Sequence, residues 1–278
     1  MSPDAAMQYR GAILMAWEPA LRLGVFLGVF ALMALWELRA PKRRLNWPKA
    51  RRWGVNWLVA ALDTVLVRLM FPLAAVGAAL DAQAQGWGLF NALDWPLWLE
   101  FALTLIALDF AIWLQHLVSH KVPLLWRLHQ VHHADPDIDV TTAIRFHPVE
   151  IALSMALKIG LVYALGPAAA AVVAFEVILN GCAMFNHANI RLPLAVDRWL
   201  RLVIVTPDMH RVHHSVERRE HDANYGFNLA IWDRLFGVYV AQPAAGHDGM
   251  EIGLKPWRRG EPTRLGFTLA LPFRRLRG

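Results

Sequence analysis

One cysteine, Cys182, stands in 278 residues. A lone thiol excludes an internal disulfide framework and any zinc site built from paired cysteines. Charge is scarce as well, at 18% of residues against 56% hydrophobic. With a mean hydropathy of +0.33, that balance excludes a disordered chain and departs from an ordinary soluble domain. Several catalytic signatures are missing. There is no G-x-G-x-x-G, no P-loop and no G-x-S-x-G elbow. The zinc-protease motif H-E-x-x-H is absent, because Leu117 follows His116 and Arg211 follows His210. No glutamate is followed three residues later by histidine, so the Glu-x-x-His pairs of soluble di-iron carboxylate bundles are absent too.

Thirteen tryptophans and twelve histidines are what the chain has in plenty. The tryptophans suit a lipid–water boundary. A net charge of +6 and a pI near 9.9 first suggest a nucleic-acid binder. The positions of the charges argue otherwise. Arg39, Lys42, Arg43, Arg44, Lys49, Arg51 and Arg52 follow directly on an apolar run, and Arg274, Arg275 and Arg277 form a second group. Both read as juxtamembrane charges, and no nucleic-acid partner is expected.

Five apolar runs are candidate membrane segments. The first, 21–36, has too weakly basic a flank and no small-x-small cleavage site, so it reads as a retained helix rather than a signal peptide. The second, 55–79, carries Asp63 and Arg68, which are expected to face protein rather than lipid. The third is 95–118. The fourth and fifth, 151–165 and 168–184, meet at Gly166-Pro167. Each falls short of the roughly 20 residues of a full crossing, so a helical hairpin is expected. If the basic loop 39–53 is cytoplasmic, residues 80–94, without Lys or Arg, lie on the far side. Everything from about 186 onward is then cytoplasmic. The expected fold is an all-α integral membrane protein with about four to five membrane helices or hairpins and a cytoplasmic, helical, histidine-rich cap. The expected organisation is 1–102 for the N-terminal helices and basic loop, 103–240 for a metal-binding domain, and 241–278 for a tail, irregular over 240–266. The expected location is a membrane, with the histidine-rich side facing the cytoplasm.

The histidines are not scattered. His116 and His120 form H-x-x-x-H; His129, His132 and His133 form H-x-x-H-H; His210, His213 and His214 form a second H-x-x-H-H. At this histidine frequency, one H-x-x-H-H is expected by chance about 0.02 times, so two call for a chemical cause. On a helix, positions i, i+3 and i+4 project from one side. Neutral imidazole is a common metal ligand, and nitrogen-rich sites suit Fe, Zn, Cu or Ni. Eight clustered histidines, nine with His187, exceed the ligand shell of one ion and imply two metals. His147, beside Pro148, reads as the cap of a helix start. His221 and His247 lie outside the pattern.

The combined motifs resemble a known family. They are Asp109 with His116 and His120; His129, His132 and His133; Asn186-His187; Pro207 with His210, His213 and His214; Asn224-Tyr225-Gly226; and the run from Trp232 through Asp233 to Gly237. Together, over roughly residues 103–240, they resemble the fatty acid hydroxylase / sterol desaturase superfamily, most of all its bacterial sterol-desaturase-family members. The resemblance implies a membrane-bound non-haem di-iron oxygenase. Such an enzyme uses O2 and two electrons to hydroxylate or desaturate an unactivated C–H of a lipid: fatty acyl, sterol or related. It implies two Fe ions held by His116, His120, His129, His132, His133, His187, His210, His213 and His214, with zinc as a substitute in purified protein. Asp109, two helical turns before His116 on the same face, is an expected hydrogen-bond partner behind the ligands, as are Asn224 and Asp233.

Two departures stand out. Leu117 replaces the Arg that many members carry after the first histidine, and no HPGG-type haem motif is present. Electrons are therefore expected from a separate protein or a small reductant. Phe110, Trp113, Leu114 and the small residues 168–171 either line a lipid route or simply pack helices, the second being the plainer reading. Two other functions use the same histidines: a membrane metal transporter or sensor, and a membrane zinc hydrolase.

Overall fold

The structure is a computed structural model that describes residues 3–93 and 95–274, with side chains from Ala16 onward; Arg275 and Arg277 of the second basic group lie outside the described residues. Among the described residues it is all-helical apart from three isolated bridges. The helices in the membrane body are α1 (Pro3–Arg39), α2 (Lys49–Met70), α3 (Ala74–Gln85), α4 (Leu97–Lys121), α6 (Pro148–Leu165) and α7 (Ala169–His187). Short helices surround the histidines: α5 (Pro123–His133), α8 (Leu194–Leu200), α9 (Pro207–His213), α10 (Arg218–His221) and α11 (Ile231–Leu235). Five segments are long and apolar enough to cross a membrane: Ala16–Arg39, Lys49–Ala92, Leu97–Lys121, Pro148–Leu165 and Ala169–His187. The protein is an integral membrane protein.

The second apolar run is not one helix. Pro72 lacks the N–H that would continue α2, and the chain breaks at Phe71 before restarting as α3. Ala75, Ala78 and Ala79 of α3 then pack on Val162 of α6 and on Ala169 and Val172 of α7. The small stretch 168–171 thus packs helices, because small side chains let backbones approach closely. At the turn between α6 and α7, Gly166 closes α6 with φ 63°. A side chain there would collide with the Trp87 carbonyl oxygen, which ties the turn to the loop after α3.

Asp63 is buried but Arg68 is exposed, which corrects the expectation that both face protein. Five residues turn a helix by about 140°, so the two cannot share a face. The charges that pair inside the membrane body are others. Arg22 of α1 meets Glu18 at 2.5 Å and Glu176 of α7 at 2.7 Å, and Lys158 of α6 meets Glu176 at 2.6 Å. Two acids and two bases balance one another, which makes their burial in an apolar body tolerable.

Part of the basic loop turns inward as well. Arg39, Arg44 and Arg51 are exposed, but Arg52 is fully buried against Asp135 and Asp139, each at 2.6 Å. It is a core ion pair rather than a membrane-surface charge. The stretch after 240 is irregular, yet it is packed: Met250 and Ile252 bury against Ile138, and Leu271 against Val131.

Candidate metal centre

Proline sets up the first histidine hairpin. Pro123 forces Val122 into an extended conformation (φ −94°, ψ 116°), ending α4, and opens α5 as its first residue. The end of α4, with His116 and His120, thus lies against α5, with His129, His132 and His133. A third contribution comes from the last residue of α7, His187. The fourth is α9, capped by Thr206, which carries His210 and His213 and ends at His214.

All nine imidazoles are buried, at most 9% exposed. They fall into two groups. His116, His120, His129, His133 and His213 bring five nitrogens within 4.8 Å of one another; His132, His187, His210 and His214 bring four. Each H-x-x-H-H is split between them. Its i, i+4 pair stays together, and the middle histidine crosses to the other group. Consecutive side chains on a helix diverge by about 100°, so a pair of adjacent histidines naturally serves two points.

Tautomers can be read from the partners. His116 Nδ1 lies 2.7 Å from the Tyr225 carbonyl oxygen, His132 Nδ1 3.2 Å from that of Arg145, His187 Nδ1 2.7 Å from that of Ala183, and His213 Nδ1 2.7 Å from that of Ala223. A carbonyl only accepts, so each Nδ1 carries the proton and each Nε2 a lone pair. His129 Nδ1 likewise donates to Glu150 at 2.6 Å. The consequence is electrostatic. His116 and His129 oppose their Nε2 atoms at 3.1 Å, and so do His132 and His187. Two lone pairs at that distance repel unless a cation lies between them. Two nitrogens each about 2.1 Å from one metal sit roughly 2.9–3.4 Å apart, so the spacing fits. Buried ring nitrogens without any partner on His120, His133, His213 and His214 fit as well. The donor set suits a nitrogen-loving transition metal.

The remaining candidates occupy other places. His147 caps α6, its Nδ1 accepting from the Val149 N–H at 3.2 Å. Asp109 touches no histidine. Its Oδ2 accepts from Trp232 Nε1 at 2.7 Å, which corrects the expected contact. Two turns along α4 is about 10 Å, too far for a carboxylate to reach His116.

Asn224 and Asp233 also act at one remove. Asn224, at φ 55°, donates to the Met209 and Val240 carbonyls. Asp233 accepts from the Trp113 indole at 2.9 Å and from the N–H groups of Tyr225 and Gly226 at 2.8 and 3.0 Å. It thereby fixes the Tyr225 carbonyl that holds His116. Burial pushes the Asp233 carboxyl up to about 6, against those donors. Trp113, stacked on Phe236 at 4.6 Å, is packing rather than a lipid route.

Two supports were not foreseen. Glu150 is the carboxylate on His129, and Arg145 is the hub behind His132. The Arg145 guanidinium donates to the Val131 carbonyl at 2.8 Å, to Asn56 at 2.7 Å and to the Pro262 carbonyl at 2.9 Å. The signal lay in R-F-H-P-V-E, where both flank the capping histidine.

An integral membrane protein with nine buried histidines in two metal-competent groups is thus defined by fold and site. The fatty acid hydroxylase family profile matches residues 101–238, about half of the chain and the part that carries every histidine of the cluster. The chain belongs to the fatty acid hydroxylase family. It is 28% identical to an ornithine lipid hydroxylase of Rhizobium tropici over 79% of this chain and 67% of that protein. It is 30% identical to the alkylglycerol monooxygenase of Homo sapiens, over 57% of this chain and 34% of that protein. A fatty acid hydroxylase of Lecanicillium is 27% identical, over 58% and 47%. The chain thus spans about two thirds of the first relative and about a third of the second. These relatives are hydroxylases and monooxygenases, which are oxidoreductases. No solved structure matches the chain significantly.

Proposed function

We propose that this protein is a membrane lipid hydroxylase whose nine histidines hold two iron ions. His116, His120, His129, His133 and His213 hold one, and His132, His187, His210 and His214 the other. The single observation that carries this reading is the pair of 3.1 Å Nε2···Nε2 contacts between nitrogens that both lack a proton. When bound, the irons supply the O2 chemistry, in which two electrons and two protons convert R–H and O2 to R–OH and water. Desaturation would divert the same oxidising power to a second hydrogen.

The chain's own residues set the stage. Carbonyls of Tyr225, Arg145, Ala183 and Ala223 keep the Nδ1 protons in place and the Nε2 lone pairs free. Glu150 accepts from His129 Nδ1 at 2.6 Å and so orients the ring with its Nε2 lone pair toward the other histidines. The near-complete burial of the imidazoles excludes water from the site. The substrate is a lipid with a long alkyl chain, in keeping with the ornithine lipid, alkylglycerol and fatty acid named for the relatives. Electrons come from a separate protein or a small reductant. The exposed arginines 39, 44 and 51, close to the histidine end of the helices, support a cytoplasmic site in a bacterial inner membrane.

The test is elemental analysis of the protein purified in mild detergent after expression with iron. About two irons per chain are expected, with an oxygen-dependent lipid product. Two zincs retained despite iron supply, or activity without oxygen, would move the assignment to a hydrolase.

A further inference from the structure

Residues 194–203 and 228–236 form one apolar platform beside the histidines. The Val205 N–H donates to the Asn228 carbonyl at 2.9 Å and the Ala230 N–H to the Val203 carbonyl at 3.0 Å, joining the two stretches. Their outward side chains are large and apolar: Leu194, Trp199, Leu202, Val203, Ile231 and Leu235 are each more than half exposed. A patch of this kind marks an interaction surface rather than ordinary protein exterior.

Its position identifies the partner. Phe110 of α4 lies six residues before His116, about 9 Å deeper along the helix. Trp232 packs on that same Phe110 with its ring tilted, at 5.0 Å, and Phe236 stacks on it at 5.9 Å. The platform is therefore continuous with the side of a membrane-spanning helix, at a depth below the histidines. The polar groups agree. Asp197, Arg201 and Asp233 are buried and Arg234 is half-buried, which leaves Arg198, placed over Trp199, as the one exposed charge on the two stretches. A cation that can reach lipid phosphates, with no exposed acid, suits an anionic headgroup layer. Backbone N–H groups of the turn after α11 are paired within it, Gly237 to Arg234 and Val238 to Asp233, as insertion into an apolar phase demands.

We propose that this platform inserts into the histidine-side leaflet, with its apolar side chains among the upper acyl chains and Arg198 at the headgroups. It is the wall of the protein against which a lipid tail in that leaflet lies next to the histidine cluster. Residues beyond 186 are then not all in the cytoplasm: part of the cap is a membrane surface element. The inference rests on packing and exposure, and it holds whichever metal the histidines bind.

The test uses the full chain in nanodiscs of phosphatidylcholine and phosphatidylglycerol, in a Cys182→Ser background. A small fluorophore is attached to Trp199→Cys, Leu235→Cys or, as a control on the exposed tail, Lys255→Cys. Leu202→Cys and Ile231→Cys replace either platform variant if it fails to fold. Lipids with a nitroxide high on the acyl chain are expected to quench the platform positions about threefold or more above the control, while aqueous iodide quenches mainly the control. Equal iodide quenching at all positions would overturn the proposal by placing the platform in water. Protection from both quenchers would overturn it in favour of a protein partner, such as a second copy of this chain.

Discussion

His132 and His133 are adjacent in the chain, yet their ring nitrogens serve different groups of the cluster. Their rings stand at 86° to one another with centroids 5.4 Å apart. That divergence makes a specific outcome expected. His132→Ala removes one of four nitrogens from its group, and His133→Ala removes one of five from the other. Elemental analysis should give close to one metal per chain for His132→Ala and a smaller loss for His133→Ala, because the group with fewer ligands has less to spare. Equal loss from both variants would mean that the nine nitrogens act as one unit.

Arg145 offers a test of the support behind the metal groups. Its carbonyl accepts from the His132 Nδ1–H while its guanidinium ties Val131, Asn56 and Pro262 together. Arg145→Met leaves the Val131, Asn56 and Pro262 oxygens without their charged donor, while Asp135 keeps Arg52. A loss of about 3–5 kcal/mol of stability is expected from those buried, charge-assisted hydrogen bonds. Arg145→Lys restores the charge but not the fork, so it should recover thermal stability in part while metal retention stays reduced. Thermal unfolding and elemental analysis on the same samples check both halves.

Glu150 is the one carboxylate among the described residues that hydrogen-bonds a histidine of the cluster, at 2.6 Å from His129 Nδ1. Glu150→Gln keeps the size and can still accept, but it lacks the negative charge. Metal affinity should fall about 10–100-fold, measured by competition with a chelator, while the fold is retained. Unchanged affinity would show that the contact only orients the ring.

Acid should destabilise the metal-free protein. The imidazoles of His132, His133, His210, His213 and His214 are pulled well below their ordinary value, by burial first and with neighbouring imidazoles adding to it. In the unfolded chain each titrates near 6.5. The unfolded chain therefore binds more protons than the folded one below that pH. The stability from neutral imidazoles is full above about 6.5 and is lost as pH falls through the window beneath it. The unfolding temperature of chelator-treated protein should drop steeply from about pH 7 to about pH 5, and loaded protein should release metal over the same range. A flat profile would contradict the buried, neutral cluster.

Much of this molecule was legible in its sequence, because the relevant signals are local. Apolar runs give the spans; Pro123, Pro148 and Gly166 punctuate the helices where the structure ends or starts them. The three histidine motifs gather because helical spacing already puts i and i+4 on one face. His147 as a cap followed from its place before proline.

Only the tertiary structure decided the rest. Pro72 stood in plain view, but a break inside an apolar run depends on whether α3 finds α6 and α7 to pack on. The partition of nine histidines into five and four depends on how α4, α5, α7 and α9 are juxtaposed over 99 residues of chain, from His116 to His214. Arg52 looked like a surface charge because nothing near it in sequence is acidic; its partners Asp135 and Asp139 are more than 80 residues away. Asp109 shared a helix with His116 and still bonded Trp232, since reach is set by three-dimensional distance and not by helical phase. Local periodicity can state which side chains share a face. Which faces meet is a property of the whole packed chain, and in this protein that meeting forms the site.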